Sequence, residues 1–395
     1  MPRLLPPCRP RSRTSTDPLD DAVSSADSVW SSGENRWLPS AYPWDRLLPL
    51  RALAERHRDG IVDLGIGTPV DPTPEIIQAA LRSASDNPGY PLTAGTPELR
   101  RAAASWLERR LDVSVEPAAV LPVIGTKELV AALPSQLGMG SGDLVVIPAL
   151  AYPTYEVGAA IAGAQVRVAD QPDFDPGRGR TLVWLNSPAN PSGRVLSAEQ
   201  LRVWVDWARN HDAVIASDEC YAELWWEERP LSLLHDDVSA GDHRRLLSVH
   251  SLSKRSNLAG YRSGFVTGDP VLVKELLDLR RHSGAMVPGP IQTASVAALD
   301  NDEHVAVQVA RYGARRSLLA AVVTAAGFRI DHSSAGLYLW ITRDEDCWAT
   351  AEWFAERGIL VGPGDFYGVA GARHVRLALS VTDERVASAV ARLAP

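Results

Sequence analysis

An α/β fold with a central, mostly parallel sheet, followed by a smaller α+β domain, is what this sequence predicts. Two observations carry the prediction. From Pro43 onward, short apolar runs rich in β-branched residues alternate with amphipathic stretches, the pattern of strands joined by crossover helices. After about residue 290 the texture changes to one long helical stretch and then short strands interleaved with helices. The length, 395 residues, suits roughly two to three domains.

The strand candidates of the first part are Ile61–Leu64, Leu144–Ile147, Gln165–Val168, Leu182–Leu185, Val214–Ala216, Leu246–Val249 and Gly264–Val266, and another strand precedes Gly125. Helices between them have start signals. Thr96-Pro97 opens Glu98–Leu111, a polar cap before a proline in the first turn. Ser197 opens Ala198–Asn210, with Gln200 three residues on, as in a capping box. Beyond residue 290 the pattern predicts a helix over Asp302–Ala326 and strands at Phe328–Ile330, Leu337–Ile341 and Val375–Leu379. Residues 1–40, rich in Pro, Ser, Arg and Asp and without period, read as a disordered tail or a misplaced translation start.

Composition excludes several classes of function. With 48 acidic and 40 basic residues the chain carries −8, so no basic field for nucleic acid or anionic lipid is expected. No apolar run reaches the ~18 residues of a membrane span, and no signal peptide is apparent. Three scattered cysteines and nine histidines without HExxH or HxH spacing argue against a disulfide framework or a metal site. The expected setting is reduced and cytoplasmic.

Of the 40 basic residues only Lys127, Lys254 and Lys274 are lysine. A chain so biased towards arginine keeps lysine where a guanidinium cannot serve, because an amine can lose its proton and condense with a carbonyl. Lys274, in the charged helical stretch Pro270–Ser283, reads as a surface residue.

Lys254 lies in Ser251-Leu-Ser-Lys-Arg-Ser-Asn-Leu-Ala-Gly-Tyr-Arg262, directly after a strand, where open α/β sheets gather ligands. Two hydroxyls before it and Arg262 after it suit a phosphate. Asp218 ends another strand, with Tyr221 three residues on. An aspartate there can keep a pyridine nitrogen protonated, although a helix cap explains an isolated Asp equally well. Asn186-Ser-Pro-Ala-Asn190-Pro-Ser-Gly193 reads first as a turn. Gly125-Thr126-Lys127 runs from a strand into a helix N-terminus able to hold an anion, without the Gly-Lys-Ser/Thr of a P-loop.

Taken in chain order, with Tyr152 between Gly125-Thr126 and the Asn186–Gly193 segment, the residues resemble the class I/II aminotransferases, the fold-type-I enzymes of pyridoxal 5′-phosphate (PLP). The resemblance runs from about Tyr42 to the C-terminus. It implies an arm at 41–60 joining the small domain, a large PLP-binding domain at 61–290 and a small domain at 291–395. It also implies roles. Lys254 holds the cofactor and shuttles the proton. Asp218 pairs with the ring nitrogen, Asn190 and Tyr221 bind the ring hydroxyl, and Tyr152 stacks on the ring. Gly125, Thr126, Ser251 and Arg262 hold the phosphate. Arg376, helped by the backbone near Gly67, takes the substrate α-carboxylate. Tyr90 reaches the phosphate of a neighbouring subunit, so a homodimer with shared active sites is expected.

The segments Asp63–Asp71, Leu121–Glu128, His250–Lys254 and Gly362–Gly368 are similar to N-succinyldiaminopimelate aminotransferases of lysine biosynthesis. The resemblance thus implies exchange of an amino group between N-succinyl-LL-2,6-diaminopimelate and 2-oxoglutarate. The alternatives are an aspartate, aromatic or alanine-type aminotransferase, or a PLP-dependent C–S lyase. Lys127, Arg255 and Arg281 are the candidate readers of distal carboxylates. An NAD enzyme is disfavoured because Gly65-Ile-Gly67 lacks its third glycine, Val70 standing there. A PLP-dependent transcription regulator would need an N-terminal DNA-binding domain, which 40 residues of this composition cannot supply.

Overall fold

The computed structural model describes residues 43–394; the expected tail at 1–40 lies outside them. A 3₁₀ turn at Pro43–Leu47 and a helix at Leu48–Ala54 open this part. Leu47 packs with Trp340, Leu360, Phe366 and Tyr367, so the N-terminal arm rests on the C-terminal third of the chain. The first strand, β1 (Val62–Asp63), is not part of the central sheet as the sequence suggested. It pairs in parallel with Ile359–Leu360, because two residues are too few to hold a place among longer strands and its partners come from the far end of the chain.

Seven strands form the central sheet: β2 (Val120–Val123), β3 (Leu144–Ile147), β4 (Gln165–Val168), β5 (Thr181–Asn186), β6 (Val214–Asp218), β7 (Leu246–Ser251) and β8 (Gly264–Gly268). Their order is β2-β8-β7-β6-β5-β3-β4. All neighbours are parallel except β8, which runs antiparallel to β2 and β7. The apolar runs are continuous because helices cover both faces. Along β5, Val183 and Leu185 enter one layer with Trp204, Val205 and Leu201, while Leu182 and Trp184 enter the other with Leu129, Leu133 and Tyr155. Each buried aliphatic side chain contributes roughly 1.5–3 kcal/mol here.

The helix starts follow the expected signals. Thr96 caps Pro97–Leu111 by accepting from Leu99 N at 3.2 Å, and Ser197 and Gln200 complete a capping box at Ala198–Asn210. After the long helix Glu303–Ala325, a second sheet follows. Its strands are β9 (Arg329–Ile330), β10 (Tyr338–Thr342), β12 (Gly362–Pro363) and β13 (Val375–Ala378), with β11 (Ile359–Leu360) given over to β1. The order is β12-β13-β10-β9, all antiparallel. Among the described residues, no helix is long and apolar enough to cross a membrane.

Candidate active site

Three adjacent strands deliver the site. The registers Asn186↔Asp218 and Asp218↔Val249 bring the carboxyl ends of β5, β6 and β7 level. Asn190 follows β5, Asp218 ends β6, and Lys254 follows β7 in the short helix Leu252–Arg255. Facing them are the loop after β1, which carries Gly67, and Arg376 on β13. A cleft of about 630 Å³ opens between these elements.

Gly67, Thr126, Lys127, Tyr152, Asn190, Asp218, Tyr221, Ser251, Lys254, Arg262 and Arg376 all line it. Gly125 stands just behind: at φ +76°, a Cβ there would lie 2.3 Å from Arg262 Nη2, so glycine lets the guanidinium lie against the backbone. Tyr90 does not line the cleft of its own chain and is 97% exposed. Of the three candidate readers of distal carboxylates, only Lys127 lines the cleft. Arg255 is buried elsewhere, its Nε donating to Glu223 Oε2 and its Nη1 to the Ala298 carbonyl. Arg281 lies on the helix Pro270–Ser283 and pairs with Asp278 at 3.2 Å. Both are removed from that role, because their charges are already committed to structural pairs. Lys274, also paired with Asp278, sits on the surface as its sequence context indicates.

Sequence reading missed two tyrosines. Tyr155 donates its hydroxyl to Asp218 Oδ2 at 3.0 Å, and its ring stacks on Trp184 at 4.9 Å. Tyr338, at the start of β10, lines the cleft. Its hydroxyl lies 3.1 Å from that of Tyr221. A Cβ on Gly67 would fall 2.2 Å from it, which is why glycine stands there. Helical spacing from Tyr152 was the available signal for Tyr155. For Tyr338 there was none, because every residue of β10 is buried.

The charges in the cleft are unusual for lacking counter-ions. Asp218 is 7% exposed. Burial pushes its pKa up, against hydrogen bonds from Cys220 and Tyr155, and no cation among the described residues enters the balance. A carboxylate so placed is stabilised by a cation brought in by a ligand. Lys254 Nζ donates to the Gly67 carbonyl. Burial lowers its pKa, with the Arg376 and Arg262 charges adding to the effect, so the amine moves towards its neutral, nucleophilic form. Arg376 is 3% exposed. Its Nη1 donates to Asn190 Oδ1 at 2.8 Å and its Nη2 to the Gly65 carbonyl at 2.6 Å. Among the described residues its buried Nε has no partner, and its guanidinium lies among the rings of Tyr338, Tyr367 and Trp44. Burial also raises the Tyr152 phenol to about 12.

These groups fit PLP. Asp218 offers the anion that a protonated ring nitrogen needs. Lys254 is an amine inclined to neutrality. Asn190, whose Oδ1 is taken by Arg376, keeps its Nδ2 for an acceptor. Thr126 begins the helix Thr126–Gln136, and Arg262, Ser251 and Ser253 stand nearby on the cleft wall, a donor set for a phosphate. Among the described residues no group of side chains is placed to hold a metal ion.

Comparisons with known proteins agree with this chemistry. The sequence pattern of the family described as aminotransferase class I and II matches residues 59–393. A probable aminotransferase of Mycobacterium tuberculosis is 56% identical over 353 residues, 89% of this chain and 84% of that protein. The 4-dedimethylamino-4-oxo-anhydrotetracycline transaminase OxyQ of Streptomyces rimosus is 54% identical over 358 residues, covering 91% of this chain and 99% of its own length. Among solved structures, a probable N-succinyldiaminopimelate aminotransferase of Thermus thermophilus superposes with a TM-score of 0.79 at 28% identity, over 89% of this chain and 99% of that one. The chain belongs to the class I and II aminotransferases, a family that works with pyridoxal 5′-phosphate.

Proposed function

We propose that this aminotransferase moves an amino group between N-succinyl-LL-2,6-diaminopimelate and 2-oxoglutarate, with Lys254 as its cofactor lysine. The observation that carries the cofactor assignment is the meeting of Lys254, Asp218 and Arg376 in one cleft, Asp218 and Arg376 buried and Lys254 part-buried, none ion-paired among the described residues. When bound, PLP supplies an aldehyde that condenses with amines and a ring that accepts the electron pair left on the α-carbon. Asp218 holds a proton at the ring nitrogen. Lys254 Nζ takes the proton from the substrate α-carbon and returns it on the cofactor side. Asn190 Nδ2 and the Tyr221 hydroxyl donate to the phenolic oxygen, and Tyr152 covers the ring. Thr126, Ser251 and Arg262, with the backbone at Gly125, hold the phosphate. Arg376 grips the α-carboxylate beside Gly67.

Substrate choice rests on a different group. Lys127 stands exposed on the cleft wall, a cation suited to a carboxylate beyond the reacting end. Likeness to the Thermus thermophilus protein points the same way. A second reading, amination of a polycyclic ketone, is favoured by the 54% identity to the Streptomyces rimosus transaminase. Such a substrate has no call on Lys127.

Borohydride reduction of the yellow holoenzyme, followed by peptide mapping, should label Lys254; a label on Lys127 or Lys274 would overturn the cofactor assignment. Turnover with succinyldiaminopimelate, aspartate, an aromatic amino acid and a polycyclic ketone then separates the readings. Preference for any of the last three removes the succinyldiaminopimelate assignment. A homodimer completes the reading, Tyr90 reaching the phosphate site of the second copy.

A further inference from the structure

We infer that Tyr338 is a positioning residue joining the two halves of the cleft: its ring seats Arg376, and its hydroxyl sets the direction in which Tyr221 donates. The inference rests on the cofactor reading above. Tyr338 begins β10, which pairs antiparallel with β13 so that Tyr338 stands opposite Ala378 and Trp340 opposite Arg376. This register places the phenol ring against the arginine, with the guanidinium carbon 4.0 Å from the ring centroid. A buried guanidinium over an aromatic face is held in position as well as stabilised. The ring therefore fixes where a carboxylate is gripped.

The hydroxyl acts towards the other half. It lies 3.1 Å from the Tyr221 hydroxyl, both oxygens being buried. Two phenols at that distance share one hydrogen bond, and each has one proton to give. If Tyr338 donates, the Tyr221 proton is left to point into the cleft. If Tyr221 donates, it has nothing left for a ligand. The neighbouring cations select the first arrangement: with the Arg376 guanidinium 4.0 Å from its ring centroid and Lys254 also acting on it, the Tyr338 hydroxyl turns its lone pairs to the cations and its proton to Tyr221. Burial alone would raise the Tyr338 phenol, but the Arg376 and Lys254 charges lower its pKa, with Asp218 opposing them. Tyr221 moves the other way, raised by burial and by Tyr338, with Cys220 adding and Arg376 opposing. Tyr152 and, from the long helix Glu303–Ala325, Tyr312 face the same group. Tyr338 therefore gives its proton to Tyr221, and Tyr221 gives its own to the cofactor's phenolic oxygen.

The two functions separate in two variants. Tyr338→Phe keeps the ring and removes the hydroxyl, whereas Tyr338→Leu removes both. Donation from Tyr221 favours the form in which the Lys254–cofactor nitrogen has lost its proton, because negative charge on the phenolic oxygen is then least shared. Weaker donation should therefore raise the pH midpoint of the holoenzyme's visible absorbance, by roughly half a unit or more in both variants. KM for the amino-acid substrate should stay near the parent's in Tyr338→Phe. In Tyr338→Leu, or in Tyr338→Met should the first not fold, KM should rise roughly five- to thirtyfold. Melting temperature, followed in parallel, should not track the absorbance midpoint. An unmoved midpoint in Tyr338→Phe overturns the hydroxyl's role, and parental KM in Tyr338→Leu or Tyr338→Met overturns the ring's. A parent enzyme lacking any borohydride-sensitive band at Lys254 would instead bring down the cofactor reading itself, and this inference with it.

Discussion

Asp218 accepts hydrogen bonds from Tyr155 and from the Cys220 amide but has no cation beside it among the described residues. Removing its charge therefore relieves the empty protein and handicaps the loaded one. Asp218→Asn should retain most PLP, since the phosphate donors are untouched. Its kcat should fall by roughly a hundred- to a thousandfold, the scale of losing one pre-positioned electrostatic group; single-turnover rates measure this, and an unchanged kcat would reduce Asp218 to a cap. Lys127 makes a contrasting case. Lys127→Ala should cost roughly 1.5–3 kcal/mol, about ten- to a hundredfold in kcat/KM, on succinyldiaminopimelate while leaving an aromatic amino acid unaffected. Arg376→Ala should harm every amino acid alike. Comparing kcat/KM across those substrates decides the matter; equal losses in Lys127→Ala would exclude it from reading the distal carboxylate. Lys254, Asp218 and Asn190 were legible because each follows an apolar run that ends abruptly, and such ends converge in a parallel sheet. Arg255 was misread because its commitment to Glu223 is a long-range pairing with no trace in local sequence.

Among the elements, the long helix Glu303–Ala325 does more than pack. Arg315 grips both oxygens of Asp71 at 2.7 and 2.8 Å, and Gln308 and Arg311 reach the same carboxylate at 2.8 and 3.1 Å. Gln308 also accepts from Asn257 Nδ2 at 2.9 Å. One helix thus holds the loop that follows Gly67 together with the segment that follows Lys254. Burial pushes the Asp71 carboxyl up, but the Arg315 and Gln308 hydrogen bonds and the arginine charges outweigh it and lower its pKa. A carboxyl whose folded pKa is depressed stabilises the fold fully above its unfolded value, about 4. That contribution is lost as pH falls through the lower folded value. Arg315→Leu, which leaves the Asp71 carboxylate to Gln308 and Arg311 alone, should destabilise by roughly 1.5–3 kcal/mol at neutral pH. It should also flatten the acid limb of a plot of urea midpoint against pH between 3 and 7. An unaltered acid limb would show that Asp71 is not the group responsible. The helix itself was legible from its length and period. Its grip was not, because Asp71 reads in sequence as one more polar residue of a proline-rich turn.

For the whole molecule, the question of assembly turns on Tyr90. A large aromatic 97% exposed has no core to fill in its own chain, and a phosphate contact across a twofold axis would use it. Mixing Lys254→Ala subunits with Tyr90→Phe subunits should restore one complete site in each heterodimer, so the mixture should exceed the sum of its parts in activity. A monomer fully active at low concentration would exclude shared sites. The expectation of a partner comes only from resemblance, because a second copy leaves no period in a sequence. The pairing of β1 with β11 was not legible at all, since two-residue strands carry no alternation. That pairing has a consequence for how the protein comes into being. It hangs the loop of Gly65 and Gly67 from strands made long after the loop itself, and Arg376 binds the Gly65 carbonyl across 311 residues of chain. During translation the strands that carry Asp218 and Lys254 are complete long before the opposite wall exists. A nascent chain can thus complete the strands of Asp218 and Lys254 while the wall that carries Gly67 and Arg376 is still missing, and the cleft closes only once β11 and β13 have left the ribosome.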